Sequence, residues 1–230
     1  MDDARGPRSL QEQVRMPMGA NERRRDDAAK PPGRLRRSER KKQLLLHAKR
    51  LFVTLGYQET TTEKIAKAAG VSEPVLYRHF ESKKTLFLEV LHEIREATLE
   101  RWRSETVHLA DPLAKLHAIA DSYLGSTREH ALEFRIMHRT LFETHDEEIV
   151  SCLRQFYLDS EDLLAGAIAD GQRTGVFRRS LDPRVGAWEM IRTALGYTLT
   201  LPLGIPLYSQ ADYLPQAIDC LLQCLLKTDV

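Results

Sequence analysis

Five hydrogen-bond donors lie within eight positions of one another: Tyr77, Arg78, His79, Lys83 and Lys84. Their phenol, guanidinium, imidazole and ammonium groups can all donate to phosphate oxygens. In proteins that bind nucleic acids, such contacts to the backbone fix the position of the protein without reading sequence. The spacing therefore indicates a surface that binds a phosphodiester backbone, if a local fold brings the five side chains to one side.

A short helix around residues 74–80 would sort these side chains by direction, because successive residues turn by about 100°. Leu76 and Phe80 are four residues apart and share the side that a core would bury. The side chains that project from the opposite side are those of Pro74, Val75 and Arg78, with Tyr77 and His79 on its two edges. In a major groove, Pro74 and Val75 suit contacts with thymine methyl groups, and Arg78 can reach guanine or a phosphate.

A glycine turn joins this helix to a preceding one, for which Thr60 and Glu63 have the spacing of a capping box. Gly70 supplies the positive φ that ends a helix, and Ser72 is a suitable N-cap for the next one. Two short helices joined by a glycine-containing turn form a helix-turn-helix. Each feature alone also occurs in helical proteins that do not bind DNA, but here both helices carry an apolar stripe in register. The stripe consists of Ile65, Ala66, Ala69, Leu76 and Phe80.

Helical patterns flank the motif on both sides. A first helix is predicted from Ser38 to Leu55, and Gly56 ends it. Ser82 is predicted to cap a long helix that runs to about Ser104 and carries Lys83 and Lys84 beside free backbone amides in its first turn. The inward residues of the two helices are Leu44, Ala48, Leu51, Phe52 and Leu55, then Leu86, Phe87, Val90, Leu91, Ile94, Ala97 and Trp102.

The remainder of the chain is also predicted to be helical. Further helices are expected from Asp111-Pro112 to about Thr127, over 130–143, over 146–172 with Gly171 and Gly175 as stops, from Asp182-Pro183 to about Leu201, and from about Ala211 to Lys227. No strand-like alternation is sustained anywhere. The predicted fold class is therefore all-α, with about nine helices.

A set of residues in the first part of the chain resembles the tetracycline-repressor (TetR) family of transcriptional regulators. The set comprises Leu44 to Phe52, Gly56-Tyr57, Thr62, Ile65-Ala66, Ala69 to Ser72, Leu76 to Phe80 and Ser82-Lys83. The most distinctive part is the Leu-Tyr-x-His-Phe run followed by x-Ser-Lys. The resemblance covers about a fifth of the chain.

The resemblance implies particular roles for individual residues. Thr62, Tyr77, His79 and Lys83 match positions that bind phosphate in the family, and Glu73, Pro74 and Val75 match those nearest the bases. Glu73 departs from the many relatives that carry a neutral polar side chain there. A carboxylate can accept a hydrogen bond from a cytosine amino group, but phosphate repels it.

Charge is distributed unevenly along the chain. Residues 1–50 contain 15 basic and 7 acidic residues, a balance of +8, whereas the other 180 contain 19 and 26, a balance of −7. A basic end joined to an acidic remainder is typical of a DNA-binding domain on a larger body. Residues 1–35 read as a disordered extension with basic clusters at Arg23–Arg25 and Arg34–Arg37, either an arm that contacts DNA or a solvated tail. The expected domains are thus 1–35, a helix-turn-helix domain over 36–83, and a ligand-binding and dimerisation domain over 84–230.

The resemblance also implies a homodimer, formed by the last two helices of each subunit as a four-helix bundle. Small residues in the first of these helices would allow close approach: Gly186, Ala187, Ala194 and Gly196. The last helix carries an apolar stripe: Leu214, Ala217, Ile218, Leu221, Leu222 and Leu225. Two-fold symmetry would place two recognition helices in successive grooves of a near-palindrome. Alternatively, both stripes close the core of a monomer.

An apolar cavity in the body is expected to bind a small-molecule effector. The candidate lining residues are Tyr123, Phe134, Met137, His138, Phe142, Phe156, Tyr157, Trp188 and Arg192; each can equally be a core residue. Arg192 among apolar neighbours hints at an anionic ligand group, since an unpaired buried charge is costly. His138, His145 and Asp146 do not fit the spacing of a structural zinc site, so no metal is expected.

Other classes of protein find little support. The sequence contains no nucleophile elbow, phosphate loop, HExxH or redox CxxC, so neither an enzyme nor a cofactor is expected. No run of about 18 apolar residues and no secretory signal occur, and three cysteines suit a reducing cytoplasm. The resulting hypothesis is a cytoplasmic repressor that binds double-stranded operator DNA and is released by an effector. A TetR-type activator, a ligand-independent DNA-binding protein and an all-α interaction protein remain the alternatives.

Overall fold

Helices form the regular structure of the computed structural model, which describes residues 37–124, 128–200, 203–209 and 213–226. Within these ranges lie α1 (Arg37–Glu59), α2 (Thr62–Ala68), α3 (Glu73–Tyr77), α4 (Lys83–Thr106), α5 (Pro112–Leu124), α6 (Arg128–Glu143), α7 (Glu147–Thr174), α8 (Pro183–Thr200) and α9 (Tyr213–Gln223). A 3-10 turn, Pro206–Ser209, precedes α9. The prediction of an all-α fold with about nine helices is confirmed.

α1 continues for one turn beyond its predicted end. Gly56 adopts φ 83° and ψ 174°, which interrupts the helical backbone, and the chain then resumes a helical path to Glu59. The guanidinium of Arg139 in α6 lies directly against Gly56, since a Cβ at this position would be 2.5 Å from Arg139 Cζ. The backbone conformation therefore disfavours a side chain at position 56, whereas the Arg139 guanidinium, at the end of a flexible and partly exposed side chain, can move aside.

The start of α2 lies one residue later than predicted. Thr61, and not Thr60, is the N-cap, and its Oγ1 accepts a hydrogen bond from the backbone N–H of Lys64 at 3.2 Å. Thr60 is fully buried, and its hydroxyl donates to the carbonyl of Gly56 at 2.7 Å. The prediction of a capping box at Thr60 is wrong, because neighbouring threonines are equally good caps. The break in the helical backbone at Gly56 decides which of the two threonines faces inward.

α4 joins the first three helices to the rest of the protein. Ser82 caps it as predicted, accepting a hydrogen bond from the N–H of Thr85 at 3.0 Å. Its 24 residues span roughly 36 Å at 1.5 Å per residue. The buried side consists of Leu86, Phe87, Val90, Leu91, Ile94, Thr98, Leu99 and Trp102. α4 begins at the predicted boundary and packs against α1, α5 and α7, so it connects the described parts of the DNA-binding region and the body.

Aspartates begin the helices of the body. Asp111 accepts from the N–H of Leu113, Asp146 from that of Ile149, and Asp182 from that of Arg184. Each carboxylate satisfies a backbone donor that the first helical turn leaves free. The starts of α5, α7 and α8 therefore agree with the sequence to within one residue.

Gly171 does not end α7, contrary to the prediction. It is buried inside the helix, and the ring of Phe177 lies on it so closely that a Cβ would be 2.0 Å from Phe177 Cδ2. Gly175, with φ 82°, ends α7 in the left-handed conformation. The two glycines have different purposes: one admits an aromatic ring from the following loop, and the other reverses the chain.

Some predictions fall outside the described residues. They concern residues 1–36, with the possible DNA-contacting arm, the predicted helix ends at Thr127, Leu201, Ala211 and Lys227, and the side chain of Leu214. Among the residues that are described, no helix is long and apolar enough to cross a membrane.

Candidate nucleic-acid interface and ligand cavity

α3 is held against the core by two buried anchors and exposes the remainder of its surface. Leu76 and Phe80 are almost inaccessible to solvent, as the sequence predicts. Gly70, at φ 65°, forms the turn, and the N–H of Val71 donates to the carbonyl of Ala66 at 2.9 Å. The residues that face away from the core, here called the outer face of α3, are Pro74, Val75, Tyr77, Arg78 and His79. Within this outer face, the side chain of Tyr77 is 50% exposed.

Three of the predicted DNA-binding residues form one hydrogen-bonded cluster. The hydroxyl of Thr62 donates to Glu73 Oε1 at 2.6 Å and lies 3.3 Å from the phenol oxygen of Tyr77. This cluster joins the first residue of α2 to the first and last residues of α3. One oxygen of the Glu73 carboxylate is thus occupied within the protein, which gives this anionic residue a structural role beside the exposed phenol.

His79 is half-buried at the edge of the outer face. Burial and the charges of Arg37, Lys41 and Arg40 hold the pKa of its imidazole below the usual value. The three cations belong to the first turns of α1, which the fold brings close to α3. At neutral pH the ring is therefore uncharged in the free protein and can donate one hydrogen bond to a phosphate.

The basic start of α1 adds cations that motif reasoning did not assign to the site. Arg40 donates to the side chain of Gln43 at 2.6 Å, and Lys41 pairs with Glu89 at 2.7 Å while lying 5.5 Å from the ring centre of Phe80. The net charge of residues 1–50 is the sequence signal that could have assigned Arg40 and Lys41 to the site. Their proximity to His79 could not be predicted in this way, because it depends on tertiary packing.

Neither lysine at the start of α4 is a free cation. Lys83 Nζ donates to the carbonyl of Tyr57 at 2.9 Å and lies 4.4 Å from the centre of its ring, and burial lowers the pKa of its ammonium group. Lys84 pairs with Glu148 at 2.7 Å and with Asp146 at 3.4 Å. In this structure Lys84 therefore faces the acidic start of α7, and its contact with phosphate stays a prediction.

The body contains a largely apolar cavity of about 360 Å³. Its walls come from α4, α5, α7, α8, α9 and the 3-10 turn before α9. The described lining residues are Trp102, Ile119, Ala120, Tyr123, Phe156, Tyr157, Ser160, Leu164, Met190, Ile191, Thr193, Ala194, Leu195, Gly196, Tyr197, Thr200, Tyr208, Tyr213, Ala217, Ile218 and Leu221. This volume lies at the lower end of the range found for small-molecule sites.

The predicted lining residues divide into three groups. Tyr123, Phe156 and Tyr157 line the cavity. Four others lie behind the wall: Phe134, Met137, His138 and Trp188 are buried or partly buried. His138 is linked to the cavity, because its Nε2 lies 3.1 Å from the phenol oxygen of Tyr123. Burial lowers the pKa of His138 to about 4, so its ring is neutral.

Two of the predicted lining residues are at the surface. Phe142 is 71% exposed, on the outer side of α6. Arg192 is also exposed and pairs with Glu189 one turn earlier in α8. The argument for an anionic ligand from a buried Arg192 is therefore wrong, because the guanidinium is neither buried nor unpaired.

Among the lining residues that sequence reasoning missed is a set of three tyrosines. The rings of Tyr197, Tyr208 and Tyr213 have centroids 5.0 to 6.1 Å apart. Tyr208 lies in the 3-10 turn, and its phenol is 3.0 Å from the hydroxyl of Thr200. No periodic pattern in the sequence marks a tyrosine on such a segment as part of a cavity.

Comparisons with known proteins agree with this geometry. Residues 44–90 match the family model of bacterial regulatory proteins, tetR family. The transcriptional activator FasR of Mycolicibacterium smegmatis is 32% identical over 114 residues, which cover 50% of this chain and 52% of FasR. The transcriptional repressor KstR2 of Rhodococcus jostii is 26% identical over 168 residues, 68% of this chain and 80% of KstR2. The match therefore spans only about half the length of FasR.

A solved structure with the same fold extends the likeness to the body. The crystal structure of a transcriptional regulator from Saccharomonospora viridis in complex with choline aligns with a TM-score of 0.75 at 23% identity, covering 84% of this chain and 100% of that one. The relatives are transcription regulators and not enzymes. The described helix-turn-helix lies wholly within the residues that match the family model. The chain belongs to the tetR family of bacterial regulatory proteins.

Proposed function

We propose that this protein is a ligand-responsive transcriptional repressor that binds a near-palindromic operator as a homodimer. The observation that carries the proposal is the outer face of α3, which presents Pro74, Tyr77 and Arg78 to solvent while Leu76 and Phe80 fix the helix from behind. Phosphate contacts from Tyr77 and His79 would position the helix, and Pro74, Val75 and Arg78 would meet base edges.

An exposed face of α8 supports a two-fold dimer. Val185, Glu189, Arg192, Gly196 and Leu199 alternate at spacings of four and three residues, the repeat of a helix that packs along another helix. Val185 and Leu199 are about half exposed, 49% and 48%. Gly196 on this face also lines the cavity, and a Cβ added there would meet no atom within 4 Å.

The small and apolar residues predicted to face the partner subunit are partly used within one subunit. A Cβ at Gly186 would lie 3.0 Å from Ile168 of α7, and Ile218, Leu222 and Leu225 of α9 are buried. These residues therefore close the monomer core, the alternative that the sequence left open for both stripes. We therefore propose that the opposite side of α9 faces the partner subunit. Gln216, Cys220 and Gln223 are exposed on that side.

α6 connects the cavity to the DNA-binding helices. On one side of the connection, His138 lies against the cavity-lining Tyr123. On the other, the largely buried Glu133 pairs with Lys49 of α1, and Arg139 covers Gly56. A ligand that displaces Tyr123 would thus act on α1 through α6. A second connection, between Lys84 and the start of α7, holds the first turn of α4.

Coupling of about 1–3 kcal/mol between the two sites would change operator affinity about 5- to 150-fold. In this proposal the ligand shifts α6 and the first turn of α4, and so changes the distance between the two recognition helices of the dimer. Activation is the second candidate function, because FasR is an activator whereas KstR2 is a repressor.

The test begins with selection of genomic DNA fragments by the purified full-length protein, followed by sequencing. Fluorescence anisotropy on a recovered fragment is then measured at several salt concentrations. We expect a shared near-palindromic sequence, and an affinity that falls steeply with salt because bound phosphates release counterions. Recovery of random fragments, with no preference over a shuffled duplex, would contradict an operator-binding function. A reporter placed behind the recovered fragment distinguishes repression from activation.

A further inference from the structure

We propose that the cavity takes an uncharged, largely apolar molecule that carries a hydrogen-bond-accepting oxygen. This inference deepens the proposed function and rests on it, since it names the class of the effector. Three observations support it: the charge of the wall, the donors without partners, and the packing of the tyrosines.

The wall of the cavity provides no counterion for a charged ligand. Among the described lining residues there is no Asp, Glu, Lys, Arg or His. The phenols add no charge, because burial raises the pKa of Tyr123 to about 12 and raises that of Tyr157 as well. Removing a carboxylate or phosphate from water into such a wall costs several kcal/mol per ion, so an anionic ligand would be rejected.

Two lining residues carry polar atoms that lack a hydrogen-bond partner. Among the described residues, the indole N–H of Trp102 and the phenol of Tyr157 are buried and unpaired. By contrast, the hydroxyl of Ser160 donates to the carbonyl of Phe156, and that of Thr200 to the carbonyl of Gly196. An unsatisfied buried donor costs about 1–3 kcal/mol. A ligand hydroxyl or carbonyl oxygen that accepts from one or both donors would recover part of this cost.

The three tyrosines pack on one another, with ring centroids 5.0 to 6.1 Å apart. A cation over these rings would gain about 0.5–2 kcal/mol, less than the several kcal/mol that its removal from water costs, and no described lining residue supplies a carboxylate. The rings therefore suit a hydrocarbon chain better than a cation. Tyr197, Tyr208 and Tyr213 suit the apolar part of a ligand, with the oxygen directed towards Trp102 and Tyr157.

The test uses three probes with the same ten-carbon chain and different head groups: 1-decanol, decanoate and decyltrimethylammonium. Binding to the full-length protein is followed at neutral pH, below the concentrations at which the probes form micelles, by calorimetry and by the fluorescence of Trp102 and Trp188. We expect decanol to bind at least tenfold more tightly than either charged probe. Decanoate or the ammonium probe binding as tightly as decanol would overturn the inference, as would no binding of decanol up to its solubility limit.

Three variants locate the binding within the cavity. Ala194→Trp should abolish decanol binding by filling the space. Tyr157→Phe should weaken it about 2- to 10-fold, the effect of one hydrogen bond. Thr193→Lys places a cation at an exposed position of the wall and should strengthen decanoate binding at least fivefold without strengthening that of decanol. Equal decanol affinity in the parent and in Ala194→Trp would place the site elsewhere and overturn the inference.

Failure of the inference and failure of the proposed function give different results. If decanol binds in the cavity but changes no operator affinity, the ligand class stands and the switch is contradicted. If decanoate binds and releases the operator whereas decanol does neither, the switch stands and the uncharged class is wrong.

Discussion

At the scale of single residues, we propose that neutral side chains, and not the lysines, are the central DNA-binding groups. Lys83 and Lys84 are each engaged within the protein, the first by the carbonyl of Tyr57 and the second by Asp146 and Glu148. The exposed phenol of Tyr77 and the uncharged imidazole of His79 remain to meet phosphates. Positive charge around them comes from the start of α1.

The imidazole of His79 should make DNA binding dependent on pH. Nearby cations and burial lower its pKa in the free protein, and a bound phosphate would raise it. Because the complex then holds the proton more firmly, operator affinity should rise as pH falls from 8 to 6, by at most about tenfold per pH unit. Anisotropy titrations across this range should show that dependence in the parent and not in His79→Gln. An identical pH dependence in both proteins would contradict the phosphate contact.

The negative charge of Glu73 should weaken DNA binding, although its carboxylate accepts a hydrogen bond from the Thr62 hydroxyl. Glu73→Gln keeps an oxygen that can accept from the Thr62 hydroxyl and removes a negative charge near the phosphates. We expect about threefold tighter binding at low salt, from a repulsion of about 0.7 kcal/mol at an assumed separation of about 6 Å in water, and less at high salt. Glu100→Gln makes the same change in net charge about 25 Å from the start of α4 and should change affinity little. Equal effects of both variants would mean that only net charge matters.

At the scale of helices, a loop fixes the relation between α7 and α8. Phe177 follows α7, is 1% exposed, and lies on Gly171. The N–H of the next residue, Arg178, donates to the carbonyl of Leu225 at 3.1 Å, which attaches the loop to the segment after α9. A single close contact between a glycine and an aromatic ring thus sets how three elements of the body pack.

Gly171→Ala should therefore destabilise the protein. Its Cβ would overlap Phe177, and overpacking in a core costs about 1–3 kcal/mol. Gly166→Ala is a matched control in the same helix, because a Cβ there meets no atom within 4 Å. That change should stabilise the fold by up to about 1 kcal/mol through helix propensity. Thermal unfolding of both variants should move the midpoint in opposite directions, and a Gly171→Ala protein as stable as the parent would show that Phe177 does not occupy this position.

The sequence predicted helices well where a short-range signal defines them. Asp146 and Gly175 mark the two ends of α7, and Ser82 marks the start of α4, because caps act on their own turn. Prediction failed where contacts between residues far apart in the sequence determine the local structure. Gly171 is a residue type that often ends a helix, but Phe177 packs on it inside α7. Arg192 has apolar neighbours in the sequence, but it pairs with Glu189 at the surface.

The candidate site divides in the same way. Periodicity within one short helix sufficed to predict the outer face of α3. The tyrosines of the cavity could not be predicted, since Tyr197, Tyr208 and Tyr213 lie on three separate elements. Their proximity arises only when the segment after α8 folds back towards α8 and α9.

At the scale of the whole molecule, two copies must act together in the proposed operator complex. Leu199→Glu introduces a charge on the exposed face of α8 and should convert the dimer into a monomer at micromolar concentration, with a large loss of operator affinity. Leu141→Glu makes the same change on α6, at a position 41% exposed, and should leave the dimer intact. Light scattering measures both. A monomeric parent, or a Leu199→Glu protein that stays dimeric, would contradict dimerisation through α8.

The most direct test of the central claim is the operator affinity of a variant that combines Tyr77→Ala with His79→Ala. Two lost hydrogen bonds to charged phosphate, at about 1.5 kcal/mol each, should weaken binding about 100-fold. A matched control combines Phe142→Ala with His108→Ala, which removes an exposed aromatic ring from α6 and an exposed imidazole from the turn after α4, and should bind within about twofold of the parent. Parental affinity in the Tyr77→Ala, His79→Ala protein would contradict the claim that the outer face of α3 lies on DNA.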